Sequence, residues 1–152
     1  MSDLFLSTIT NKIDKKGRVS VPHSFRTVLH KTQGDSETDQ SSLVIFRSLN
    51  HPCLEGCSSN FLQTLNKDSS GWVANKFDDF AEVIFADSHL ITLDSEGRMS
   101  LPTEFSEYAQ ITDQIAFVGR GSRFQIWNPE TFRNHHNATR ERLSQQRDAS
   151  HG

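Results

Sequence analysis

A chain of 152 residues can hold one ordinary domain, or two small halves sharing a core, and is too short for two large independent units. Its apolar fraction of 34% is low, so the core must lean on eleven phenylalanines, and no apolar run reaches transmembrane length. A formal charge of −3 excludes a protein that coats nucleic acid indiscriminately, because such proteins carry a large basic excess.

Residues 6–13 suit a strand, and Asp14-Lys15-Lys16-Gly17 a tight turn in which Gly17 supplies a positive φ. Around that turn Lys12, Lys15, Lys16 and Arg18 stand against Asp14 alone, a net +3 that opposes the sign of the whole chain. Arg18-Val19-Ser20-Val21 alternates with period two, placing the valines on one face and Arg18 and Ser20 on the other, as in a half-buried strand. Pro22 ends that strand and opens a short helix over 24–30. Residues 35–42 are acidic and polar without period, which predicts a mobile solvated loop. A strand follows at 43–47, a helix within 61–65 and another between 71 and 85.

The pattern then returns. Ile13-Asp14-Lys15-Lys16-Gly17-Arg18-Val19-Ser20-Val21-Pro22-His23-Ser24-Phe25 is echoed without a gap, 80 residues on, by Leu93-Asp94-Ser95-Glu96-Gly97-Arg98-Met99-Ser100-Leu101-Pro102-Thr103-Glu104-Phe105. Asp, Gly, Arg, Ser, Pro and Phe are identical and the intervening apolar positions keep their character. A strand at 89–93, a turn held by Asp94 and Gly97, and a helix over 103–109 are therefore expected, then strands at 115–118 and 124–127. Asn128 caps a last helix with Pro129 at its first position and Glu130 in its first turn, while the polar residues 144–152 are expected to fray. Two copies of one unit predict a pseudo-twofold domain, mainly β with short helices, in which neither half covers its own apolar face. The divisions expected are a first repeat at 6–57, a helical connecting insert at 58–86, a second repeat at 87–130 and a C-terminal helix with polar tail at 131–152.

The paired Asp-x-x-Gly-Arg turns, each followed by apolar-Ser-apolar-Pro and a short helix, together with Phe124-Gln125-Ile126-Trp127 and Asn128-Pro129-Glu130, resemble the MraZ family over roughly residues 6–142. The segment Cys53-Leu54-Glu55-Gly56-Cys57 departs from the family's more aliphatic and aromatic strand. The resemblance implies an AbrB-like, swapped-hairpin, double-split β-barrel with both halves from one chain. It also implies a cytoplasmic, nucleoid-associated, ring-forming homo-oligomer that binds double-stranded DNA at short direct repeats. Its expected role is repression at the promoter of its own operon, the division and cell-wall gene cluster. Carried over residue by residue, Lys16, Arg18 and Arg98 face DNA, with Lys12 and Lys15 beside them.

Chemistry supports that carry-over. A two-stranded ribbon fits a major groove, and a turn projects its cations ahead of the backbone. Arg18 can offer a planar fork to a guanine edge or a phosphate, whereas Lys16 is a point charge suited to positioning. Asp14 and Asp94 would repel phosphate, so their expected role is to organise the turn and hold the arginine four residues later. Ser95 and Glu96 replace the two lysines in the second turn, so the halves should not bind equally.

His51, Cys53 and Cys57 lack the second pair that a structural zinc site requires, and two small half-buried thiols are expected instead. Neighbouring His135 and His136 on a helix point apart and are expected at the surface. Trp72, Trp127, Phe77, Phe80 and Phe85 are expected in the core or an interface, and Phe132 between subunits. No nucleophile elbow, phosphate loop or zinc-protease motif is present, so neither an enzyme nor a cofactor is expected. A protein-interaction or antitoxin-like module built on the same barrel without reading DNA is the alternative.

Overall fold

The computed structural model describes residues 3–32, 41–68 and 74–151. Strand β1 (Thr8–Lys12) enters the first turn and β2 (Arg18–Ser20) leaves it, followed by helix α1 (His23–Lys31) and strands β3 (Ser42–Arg47) and β4 (Leu54–Cys57). Helices α2 (Ser59–Asp68) and α3 (Ala74–Ile84) come next. The opening order then recurs as β5 (His89–Thr92), β6 (Arg98–Ser100), α4 (Thr103–Tyr108), β7 (Gln114–Gly119) and β8 (Phe124–Trp127). Helix α5 (Pro129–His151) closes the described chain. The result is mostly β with several short helices and one long terminal one.

The strands form two antiparallel sheets, neither closed on itself: a six-stranded one in the order β1-β7-β8-β4-β3-β5, and a two-stranded ribbon of β2 and β6. Exchanging each strand for its counterpart in the other copy (β1 with β5, β3 with β7, β4 with β8) converts the sheet order into its own reverse. That is a twofold relation between the copies. Each copy's first strand pairs with the other copy, β1 with β7 and β5 with β3, and the ribbon too is made across copies. Within the first hairpin the arms meet through the Ile13–Val19 bridge, the Asp14 N–H to Arg18 carbonyl bond and the Asn11 side chain on the Ser20 carbonyl, without a continuous ladder.

Burial explains the exchange. Val19 and Met99, directly opposite in the ribbon, are each 1% exposed, and Val21, Leu101, Phe25 and Phe105 join them over one face of the large sheet. The rings of Phe5, Phe25, Phe117 and Phe124 meet there at centroid distances of 4.9–6.4 Å, so four phenylalanines fill the space that a low aliphatic content leaves. The sheet's other face is covered too. Val44, Phe46 and Cys57 pack with Ile84 of α3 and with Phe61, Phe80 and Phe85, while Cys53, Ala116, Val118 and Trp127 take Phe132 of α5. Strands buried on both faces lose the clean alternation of a half-buried strand, hence the continuous Leu43–Phe46 and Ile115–Val118 runs.

Several expectations need correction. Cys53 and Cys57 are fully buried, in different clusters, so β4 does not bring them together, and burial pushes both thiols up to about 12. His135 is no surface residue: it is half-buried and stacks on Trp127 at 4.8 Å, with His51 edge-on at 4.8 Å. Phe132, half-buried, lies 5.5 Å from Trp127. Residues 144–151 do not fray but continue α5, since Gln145, Gln146, Arg147 and Ala149 favour helix and no glycine or proline interrupts them. Of the loop expected at 35–42, Ser42 opens β3, and residues 35–40 lie outside the described ones, as do the side chains of Trp72 and Phe77. The unusual Cys-Leu-Glu-Gly-Cys segment does form a strand. There Glu55 lies beside Gln125, whose amide donates to it at 3.0 Å, and Gly56 leaves room for the Phe124 ring, which a Cβ would approach to 2.5 Å. Among the described residues no helix is long and apolar enough to cross a membrane.

Candidate nucleic-acid interface

Each turn is built around one carboxylate. Asp14 Oδ1 accepts the backbone N–H of Lys16 (2.9 Å) and of Arg18 (2.8 Å), while Oδ2 accepts Arg18 Nε at 2.9 Å. Asp94 does the same with Glu96 N–H, Arg98 N–H and Arg98 Nε, all at 2.9 Å. The arginine backbone N–H is the largest influence holding each aspartate below the usual carboxylate range, with the guanidinium adding to it. Asp94 in turn raises Arg98 further above its ordinary value. Both aspartates therefore stay ionised and spend their charge inside the turn, as expected for turn-orienting groups.

The glycines are required by conformation. Gly17 and Gly97 have φ of +83° and +78°, and a Cβ on Gly17 would sit 3.1 Å from the Leu101 carbonyl oxygen. Each glycine carbonyl accepts from the opposite copy, Gly17 from Leu101 N–H at 2.8 Å and Gly97 from Val21 N–H at 3.0 Å. The turns are thus tied to the ribbon they flank.

In that ribbon Arg18 lies opposite Ser100 and Ser20 opposite Arg98. The two arginines therefore share one face, on the diagonal, with Cα atoms separated by about 7–8 Å. Their side chains are 39% and 32% exposed, whereas Val19 and Met99 between them are buried on the other face. Lys15 and Lys16 stand exposed at the first tip, and Lys12, also exposed, lies off the ribbon on β1 opposite Gln114. Asn11 Nδ2 donates to the Ser20 carbonyl at 2.8 Å and ties that end of β1 to β2. The structure thus gathers four of the five expected cations on or beside the ribbon, with Lys12 at its flank.

The second turn is weaker in charge. Glu96 Oε2 approaches Arg98 Nη2 to 3.3 Å, so Arg98 faces two carboxylates and Arg18 one. Sequence reading missed Arg26, which partly offsets this. Its Nε donates to the Val21 carbonyl at 3.1 Å, and its guanidinium presses on the second turn so closely that a Cβ on Gly97 would meet Nη1 at 2.7 Å. The signal was a cation one turn into α1, because helical side chains lean towards the N-terminus and hence towards the preceding strand end. The 80-residue repeat hid it, since the counterpart is Ser106.

A two-stranded ribbon bearing two pre-oriented guanidiniums, with lysines at its first tip and an apolar underside, can meet phosphates and base edges without reorganising. A family profile described as "MraZ protein, putative antitoxin-like" matches residues 84–150. Proteins carrying the name Transcriptional regulator MraZ are similar over most of the chain. The one from Pelagibacter ubique is 42% identical over 131 residues, covering 85% of this chain and 81% of its own. That from Gluconacetobacter diazotrophicus is 39% identical over 129 residues (83% and 79%), and that from Xanthobacter autotrophicus 34% over 149 (97% and 91%).

Proposed function

This chain belongs to the MraZ family of transcriptional regulators, and from that premise we propose that it acts by holding double-stranded DNA against the exposed face of the β2–β6 ribbon. The observation that carries the reading is the same aspartate clamp at both turns, presenting Arg18 and Arg98 on one exposed face. Arg18 reads a base edge or grips a phosphate, Lys15 and Lys16 neutralise phosphates ahead of it, and Lys12 and Arg26 flank the contact. Asp14, Gly17, Asp94 and Gly97 hold the turns and touch no DNA.

An acidic chain binds this way only if several weak contacts act together. A head-to-tail homo-oligomeric ring supplies them, presenting equal ribbons in one orientation to short direct repeats. The target is the promoter of its own operon, in the division and cell-wall cluster, and the effect is repression at the nucleoid. The exchange of strands between residues 6–57 and 87–130 supports a swapped-hairpin barrel of two repeats, with 58–86 as connecting insert and 131–152 as terminal helix.

Footprinting of the DNA upstream of the chain's own gene tests this. Protection of regularly spaced direct repeats is expected, and Arg18→Ala should lose it. Undiminished protection by Arg18→Ala removes the role of that arginine. An oligomer that retains no DNA at any salt concentration points instead to a protein-interaction module.

A further inference from the structure

At the start of β1, far from the ribbon, a cleft of about 300 Å³ opens between the sheet and the first turns of α5. Arg120, from the β7–β8 corner, faces it together with His135 and His136 of α5 and the hydroxyl residues Ser7, Thr8 and Thr139; Val118 and Phe132 form an apolar wall. Among the described residues no carboxylate lines it and none of the three basic groups has an ion-pair partner. The surroundings reinforce the charge: His51, Arg142, Arg120 and His136 all act on His135, and these basic groups come from three separate segments, the loop before β4, the β7–β8 corner and α5. Ser7 at its rim has a φ of +75°, a left-handed conformation that a serine adopts at a cost, its carbonyl tied to Gly119 N–H at 2.8 Å.

A guanidinium and neighbouring imidazoles around a concave space, with no carboxylate in the lining, offer an anion several donors and no repulsion. We propose that this cleft binds a small free phosphomonoester, the phosphate on Arg120, His135 and His136 and the organic part against Val118 and Phe132. The volume decides the class: it lies at the lower end of small-molecule pockets and is several times larger than a bare phosphate needs. The place argues against a DNA phosphate. Thr8 and Lys12 are opposite ends of β1, about 13 Å apart along the strand, and the ribbon lies at the Lys12 end. Burial and the neighbouring cations lower the affinity of His135 for protons. A bound anion reverses the second influence, so binding takes up protons and raises the His135 titration midpoint.

The test is a titration of the full chain with glycerol 3-phosphate and with inorganic phosphate, against chloride at matched ionic strength. It is followed by the imidazole resonances of His135 and His136, assigned with His135→Gln and His136→Gln. Saturable shifts are expected, with glycerol 3-phosphate binding at least as tightly as inorganic phosphate. Arg120→Ala, at an exposed site, should weaken binding about tenfold or more, the scale of one lost hydrogen bond to a charged group. Arg18→Ala should leave it unchanged. Shifts no different from those in chloride, or unaltered in Arg120→Ala, overturn the proposal. So does a loss of duplex affinity in Arg120→Ala as large as that in Arg18→Ala, since the cleft would then belong to the DNA surface. The failure of DNA binding by Arg18→Ala protein alone would leave this site standing.

Discussion

The inequality of the two turns makes a gain of affinity available. In the second turn Asp94 and Glu96 outweigh Arg98, a net charge of −1, and the double substitution Ser95→Lys/Glu96→Lys raises that to +2. The fold already accommodates this chemistry: the Glu96 backbone N–H bonds Asp94 at 2.9 Å just as that of Lys16 bonds Asp14, and neither contact uses the substituted side chain. The change also removes the 3.3 Å contact that draws Arg98 away from a phosphate. If both new cations engage, the salt slope of log K steepens by about 1.8 per bound copy, from about 0.9 per phosphate. Each such contact contributes about five- to sixfold at roughly 0.15 M salt, so two raise affinity about thirtyfold per engaged copy. Fluorescence anisotropy with the promoter duplex, from about 0.05 to 0.3 M salt, measures both quantities. Unrelated duplexes should gain as much, because phosphate contacts carry no sequence information. An unchanged slope in a variant with native circular dichroism and native assembly size would refute the placement of the second turn against DNA.

Gly17→Ala should destabilise the protein by about 1–2 kcal/mol, the cost of an L-residue in the left-handed region, because its Cβ also meets the Leu101 carbonyl at 3.1 Å. Urea unfolding measures this, and an unaltered midpoint would mean the turn relaxes freely. His135 sets a pH dependence with a definite sign. Its folded-state affinity for protons is depressed, so the unfolded chain binds more protons in the window below 6.5. Stability should therefore fall as pH drops through 6.5 and level off once the folded-state histidine also titrates. His135→Gln should flatten that fall, and an identical pH profile in the variant would refute the assignment.

What could be read along the chain was whatever depends on near neighbours. Asp14 reaches the N–H groups of residues two and four positions on, Gly17 supplies its own φ, and Val19 and Val21 alternate by pleat alone, so one turn of sequence contains the whole clamp. The Asn128 cap, whose Oδ1 accepts from Glu130 N–H at 2.9 Å, is equally local. An exposed histidine and a stacked one look alike in sequence, however: only the packing of α5 turns His135 towards Trp127 and leaves His136 outward, against Phe132. Glu55 finds Gln125 and Arg123 some 70 residues away for the same reason.

The sequence by itself determined the two turns, their arginines and the duplication. Only the tertiary structure decided that β2 pairs with β6 and not within its own hairpin, that both arginines therefore share a face, and that Arg26 of one copy serves the turn of the other. The physical reason is that a period-two pattern specifies which face a strand buries but not which strand lies beside it. That choice is made by the joint burial of Val19, Met99 and the phenylalanine cluster, which neither copy achieves alone.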